Sequence, residues 1–198
     1  TEQDGVYRFL GVPFAEKPLG ELRFRAPQMV RPWTETRQAT GYEKDPMQAN
    51  LVLGPEHYSE DCLYLNLWVP ETTAKKLPVM VWVPGGAFAT GGSGAVDPEG
   101  PSIYDCQQLA KDGGCIVVSI SYRLNVFGFL NLSQFSSRFD DNIGMRDIIM
   151  ALRWVQEAIA SFGGDPENVR LVGESAGGEA ISALLLIDEA KPYFHKAI

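Results

Sequence analysis

Residues 169–178, Val-Arg-Leu-Val-Gly-Glu-Ser-Ala-Gly-Gly, restrict the fold more than any other stretch of the chain. A mostly apolar strand runs into Gly173-Glu174-Ser175-Ala176-Gly177, a G-x-S-x-G pattern, and small residues suited to a helix follow. A serine on so tight a strand-to-helix turn is held in a strained backbone conformation. Only glycine-sized neighbours let the chain turn there without a clash. The turn pushes Ser175 Oγ into the open, and the next N–H, at the helix start, is free to stabilise an oxyanion. The five-residue pattern by itself also occurs around purely structural serines. The strand before it and the helix after it are what the chemistry requires.

The surrounding sequence supplies a sheet for that turn to stand on. Residues 78–83 (Pro-Val-Met-Val-Trp-Val) form an apolar run too short for a helix, as expected of a strand buried on both faces of a parallel sheet. Residues 115–122 read as a second buried strand and the weakly alternating 62–69 as a third. Residues 142–162 make the clearest helix: Ile148, Leu152, Val155, Ile159 and Phe162 recur at steps of four, three, four and three, giving one apolar face. Gly163-Gly164-Asp165-Pro166 ends it. With short helices over 104–111 and 176–187, strand and helix alternate as in a parallel sheet with right-handed crossovers. The opening around residues 9–27 reads as irregular and proline-punctuated, and 72–76 as a turn. Residues 34–59 read as a long loop of the kind used for lids and gorge walls, and a glycine-rich loop runs from Pro84 to Gly100.

A chain of 198 residues, 45% hydrophobic, suits one domain or a large piece of one. A net charge of −8 argues against nucleic acid and anionic membrane surfaces as partners. No run of about 18 uncharged apolar residues occurs, so no membrane span is expected. Cys62, Cys106 and Cys115 lack Cys-x-x-Cys spacing and neighbouring His pairs, so neither a metal nor another cofactor is expected. Buried free thiols are the default, with a Cys106–Cys115 bridge left open. The sequon Asn131-Leu132-Ser133 matters only in a secreted protein.

Five segments together carry a resemblance: Phe9-Leu10-Gly11-Val12-Pro13-Phe14-Ala15, Ser59-Glu60-Asp61-Cys62-Leu63-Tyr64-Leu65-Asn66, Tyr122-Arg123-Leu124, Phe162-Gly163-Gly164-Asp165-Pro166 and Gly173-Glu174-Ser175-Ala176-Gly177-Gly178. The chain resembles the N-terminal portion of the type-B carboxylesterase/cholinesterase family of α/β-hydrolases. That resemblance implies a mostly parallel central sheet with helices on both faces, truncated at its C-terminal side. Residues 1–198 would be the N-terminal part of a single catalytic domain. It implies Ser175 as nucleophile and Gly86, Ala87 and Ala176 as oxyanion-hole donors, with Gly85, Phe88 and Glu174 beside them. Small residues after a buried strand suit the donor role because they leave their amides accessible, although a glycine-rich turn and nothing more would look the same in sequence. Glu174 would tune the site or simply be solvated. Glu60 with Arg23, and Arg123 with Asp147, match structural ion pairs of the family.

The departures carry information as well. Pro84 stands where many members have His or Tyr, and Asn125 replaces a common Gly. Asp45 lies near the place of the cysteine that usually pairs with the Cys62 position, so the loop 45–61 is expected to be unstapled. That loop has no Trp to hold a quaternary ammonium by cation–π contact, which argues against choline esters.

A serine nucleophile needs a base, and the base needs an acid to orient it. In α/β-hydrolases these follow the serine as Asp/Glu and then His. Asp188, Glu189 and His195 have the right order, but a helix over 176–187 would carry them roughly 18 Å from the elbow. The base must lie within about 3 Å of Oγ. His57 precedes the serine and reads as a surface residue. Both partners are therefore expected beyond Ile198, in a missing C-terminal portion, leaving the piece alone inactive. The function expected is a serine carboxylic-ester hydrolase that takes a small-molecule ester through an acyl-enzyme on Ser175. The alternative is a non-catalytic adhesion or recognition protein of the neuroligin type, against which the intact Ser175 counts.

Overall fold

Alternating side chains on short extended runs decide which residues meet at the centre of this protein. The structure, a computed structural model, describes residues 1–49, 54–94, 102 and 104–198. Its strands are β1 (Glu2–Gln3), β2 (Val6–Pro13), β3 (Asp45–Pro46), β4 (Tyr58–Ser59), β5 (Tyr64–Pro70), β6 (Leu77–Val83), β7 (Ile116–Ile120), β8 (Gly164–Gly173) and β9 (Lys196–Ala197). The α-helices are α1 (Gln107–Gly113), α2 (Asn125–Phe129), α3 (Ile143–Ala158) and α4 (Ala176–Leu184). Among the described residues, seven strands form one sheet in the order β1-β2-β5-β7-β6-β8-β9. The half β7-β6-β8-β9 is parallel, as expected, whereas β1, β2 and β5 join it antiparallel.

The pleat of β7 separates two cores. Ile116, Val118 and Ile120 point to the face covered by α3 and α4, while Val117 points to the other, where Ala110 of α1 meets Val6, Leu10 and Trp68. Helices therefore cover both faces. The apolar stripe of α3 lands as its spacing predicts: Ile148, Leu152 and Val155 are fully buried, and Ile159 and Phe162 continue the stripe in a 3₁₀ turn, Ile159–Phe162. Strand β6 departs from expectation, because Met80 and Trp82 are only half-buried on the α1 side.

Two elements begin earlier or elsewhere than the sequence suggests. Residues 9–13, expected to be irregular, belong to β2, whose pairing to β5 shifts between Phe9 and Val12. Gly11 makes that bulge at φ +73°, and its N–H donates to Asn66 Oδ1 at 2.9 Å. The extra residue sends Phe9 and Val12 to one face and Leu10 to the other, which hides the period-two signal. Strand β8 starts at Gly164 rather than Val169: Gly163, at φ +85°, both ends the helical stretch and turns the chain straight into the strand. In the 34–59 region the only regular pieces among the described residues are the pair β3–β4 and a 3₁₀ turn, Pro55–His57, and residues 50–53 lie outside the described residues. So do residues 95–100 of the glycine-rich loop, and residues 101 and 103 after it.

Register along the parallel half positions the site. Val83, the last residue of β6, pairs with Gly173, the last of β8, so the loops after the two strands leave the sheet side by side. Behind them Arg123, 4% exposed, and Asp147, wholly buried, form a two-point ion pair at 2.8 and 2.6 Å, and Asp147 also accepts the Arg123 backbone N–H at 3.0 Å. The pair Arg23–Glu60 is half-exposed instead of buried. Removing one partner of a buried pair leaves an uncompensated charge. Asp147→Ala should therefore destabilise the full-length protein by about 3–5 kcal/mol in urea unfolding. Arg23→Ala should cost far less, and equal losses would contradict this assignment.

Candidate active site

Ser175 follows β8 and precedes α4 at φ +54°, ψ −125°, a conformation that L-residues rarely occupy and that costs on the order of 1–3 kcal/mol. The flanking glycines make it attainable. A Cβ on Gly173 would lie 2.6 Å from the Gly177 carbonyl carbon, and one on Gly177 would run into the Val83 carbonyl. The helix N-terminus thus packs directly on the end of β6. Glu179 N–H donates to the Ser175 carbonyl at 3.0 Å and Gly177 N–H to the Glu174 carbonyl at 2.9 Å. The Ser175 side chain caps no helix amide and is exposed. Among the described residues, the Ala176 N–H donates to no backbone carbonyl.

The loop after β6 lies against this turn. A Cβ on Gly85 would be 2.5 Å from the Glu174 carbonyl oxygen, 2.6 Å from Glu174 Oε2 and 3.0 Å from Ser175 Cβ. The loop then takes three positive φ angles in succession, Gly86 at +113°, Ala87 at +54° and Phe88 at +57°. The Gly86 carbonyl faces inward and accepts the N–H groups of Ala89 (3.0 Å) and Thr90 (2.9 Å). In a trans peptide the following N–H points the opposite way. The Ala87 N–H is therefore turned away from the loop, and neither it nor the Gly86 N–H meets a backbone acceptor among the described residues. Tyr122 Oη donates to the Pro84 carbonyl at 2.7 Å, and Asn125 N–H to the Phe88 carbonyl at 2.7 Å. The Phe88 ring packs on Phe129 with centroids 4.8 Å apart. An exposed serine on a strained backbone thus packs against Gly85, in a loop whose next two N–H groups have no backbone partner among the described residues, as has the N–H of Ala176.

The same combination of elements is found in proteins of known family. The model of the carboxylesterase family matches residues 1–198. The chain belongs to the carboxylesterase family. It is 45% identical to the para-nitrobenzyl esterase of Bacillus subtilis, a match that covers all of this chain and 40% of that protein. It is 44% identical to the liver carboxylesterase of Sus scrofa over 96% of this chain and 34% of that protein. Among solved structures, a PNB esterase superposes with a TM-score of 0.91 at 46% identity, and a carboxylesterase from Geobacillus stearothermophilus with 0.89 at 43%. Each covers 100% of this chain and 40% of that structure. The fold is that of an α/β-hydrolase, and the chain spans between about a third and two fifths of the length of the curated relatives it matches.

Neither histidine of this carboxylesterase-family chain forms a hydrogen bond or ion pair with the serine turn among the described residues. His195 Nδ1 accepts the Val169 N–H at 3.2 Å, midway along β8. Four residue steps of strand lead from Val169 to Gly173, about 13 Å before the turn is reached. His57 ends a 3₁₀ turn with Nε2 3.6 Å from Glu56. Asp188 bonds Lys191 at the surface. Glu174 is exposed, with its carboxylate over Gly85. The three cysteines are buried free thiols, and burial raises each above its ordinary pKa, Cys106 to about 12. No group of His, Cys, Asp and Glu among the described residues could hold a metal ion, and no described helix is long and apolar enough to cross a membrane.

Several contributors were not visible in the sequence. Ser93, in the loop after β6, donates its N–H to Ser121 Oγ at 3.0 Å, while Asn66 Nδ2 donates to Ser93 Oγ at 3.1 Å. This buried set ties the loop to β5 and β7. The polar positions Asn66, Ser119 and Ser121, set in otherwise apolar strands, were the available signal, since buried polar groups need partners.

Asp45 is the other buried acid among the described residues. It is 7% exposed and packs against Gly92 of the same loop, and its Oδ1 has no hydrogen-bond partner among the described residues. Burial raises its pKa from 3.8 to about 6, against the pull of the Gly94 N–H and of His57. An acid raised in the folded state binds its proton more tightly there than when unfolded. The folded protein is therefore penalised above about pH 6, and the penalty disappears as pH falls from there to about 4. Asp45→Asn should raise the Tm of the full-length protein at pH 8, by the equivalent of up to about 3 kcal/mol, with the gain shrinking steadily below pH 6. A gain that persists unchanged at pH 4.5 would contradict this.

Proposed function

We propose that residues 1–198 form the N-terminal part of a single catalytic domain that hydrolyses small-molecule carboxylic esters through an acyl-enzyme on Ser175. The observation that carries the proposal is the packing of the strained, exposed Ser175 against Gly85, next to the N–H groups of Gly86 and Ala87, which like that of Ala176 meet no backbone acceptor among the described residues. Ser175 Oγ attacks the ester carbonyl carbon, and its proton passes to a histidine base oriented by an acid. The carbonyl π electrons move onto oxygen, and the resulting oxyanion accepts hydrogen bonds from the three amides. Collapse expels the alcohol, which takes the proton from the histidine. Water, activated by the same histidine, then releases the carboxylic acid and restores Ser175.

The anchoring of His195 on Val169, and the absence of any hydrogen bond or ion pair from His57 to Ser175 among the described residues, support a base and acid drawn from parts of the domain outside this sequence. Its carboxylesterase relatives support ester hydrolysis, and give an adhesion role no support. Each oxyanion donor is worth about 10²–10³ in kcat, since the hydrogen bond strengthens as charge develops on the oxygen. Gly85 lets the loop approach Ser175, and Glu174 adds negative charge at the mouth of the site.

Incubation of the full-length protein with a fluorophosphonate probe should label it stoichiometrically, and Ser175→Ala should abolish both labelling and p-nitrophenyl ester turnover. Absence of labelling in the wild type would refute the proposal.

A further inference from the structure

The geometry points to Gln48 as a positioning residue that fixes the orientation of the Gly86 N–H by clamping the far side of the loop after β6. This inference rests on the proposed esterase function and adds a residue to its machinery.

The Gln48 side-chain amide pairs with the Gly91 peptide in both directions: Gly91 N–H donates to Oε1 at 2.9 Å, and Nε2 donates to the Gly91 carbonyl at 2.6 Å. Nε2 also donates to the Pro46 carbonyl at 3.0 Å. A planar amide with a donor and an acceptor side by side can match a residue's N–H and C=O as a neighbouring strand would. Gly91, held this way at φ +105°, lies tight against Gly85: a Cβ there would be 2.5 Å from the Gly85 carbonyl oxygen. The Gly85 carbonyl therefore cannot swing toward Gly91, and its peptide plane is fixed. Across that trans peptide the Gly86 N–H points away from Gly91. On its other side Gly85 packs on Ser175 Cβ. An unbroken stack, Gln48 to Gly91 to Gly85 to Ser175, sets one oxyanion donor relative to the attacking oxygen.

The segment carrying Gln48 is itself anchored. Asp45–Pro46 pairs with Tyr58–Ser59, and Asn125 Nδ2 donates to the Met47 carbonyl at 2.6 Å. Asn125 also holds the Phe88 carbonyl through its backbone N–H, so the loop is gripped at Phe88 and at Gly91 from neighbouring points. Thr90 and Gly86 close the remaining turn.

Gln48→Met keeps the side chain's length and removes both hydrogen bonds to Gly91. In the full-length enzyme it should lower kcat for a p-nitrophenyl ester by about 10–100-fold, a fraction of the full loss of one donor, with KM changed little. It should weaken a trifluoromethyl ketone, whose adduct with serine carries the same oxyanion, by a matching factor. An unchanged kcat overturns the inference, as does a lower kcat with unchanged ketone affinity. Should Gln48→Met fail to fold, Gln48→Glu keeps an acceptor for the Gly91 N–H but sets a carboxylate oxygen against the Gly91 and Pro46 carbonyls in place of the donor. It should lose at least about 10-fold, again in parallel for ester and ketone. Full activity in that variant overturns the inference as well. A wild-type enzyme that neither hydrolyses the ester nor binds the ketone refutes the esterase proposal itself, which separates the two failures.

Discussion

The contact between Gly177 and the Val83 carbonyl governs the rest of the site. It brings the first turn of α4 onto the end of β6 with no side chain between them. Since Val83 and Gly173 are also register partners, both strand ends terminate at the same level, and the two loops that leave them must share the space above. The unusual backbone of Ser175 follows from this: the chain reverses from β8 into α4 within two residues, Glu174 and Ser175, because the helix has no room to start further away. The strain is local, and the sheet and the helix on either side of it over-determine the conformation.

A second constraint acts on the loop after β6. Its three successive positive φ angles leave it unable to form regular structure of its own. Surrounding groups hold it instead: Tyr122 at Pro84, Asn125 at Phe88, Gln48 at Gly91 and Ser121 at Ser93. Each anchor takes up a backbone group on the protein side of the loop, and the N–H groups of Gly86 and Ala87 remain over. The loop's peptides are thus oriented before any ligand arrives, which is the condition under which fixed dipoles stabilise developing charge effectively.

The elbow was legible in the sequence because its requirements are local: glycines two residues to either side of the serine, a strand before and a helix after. The stripe of α3 was legible for the same reason. Strand β2 was hidden by the bulge at Gly11, which reverses its facing halfway along, and α2, five residues long, is too short to show a period. The start of β8 was hidden by Gly163 and Pro166, which read as the end of a helix without revealing that a strand begins at once. Gln48 carried no signal at all, since its partner is 43 residues away and any polar residue in a loop looks solvated. Although α4 is shorter than expected, His195 stays off the turn, because its backbone N–H donates to the Val169 carbonyl midway along β8.

In the proposed mechanism Ser175 and the amides of Gly86, Ala87 and Ala176 converge on one reacting carbonyl. The most direct test is a crystal structure of the full-length protein after reaction with a phosphonate ester. The expected result is a covalent bond from Ser175 Oγ to phosphorus, with one phosphonyl oxygen about 2.7–3.1 Å from all three nitrogens. An adduct on another residue, or a phosphonyl oxygen turned to solvent and out of reach of Gly86 and Ala87, would contradict it.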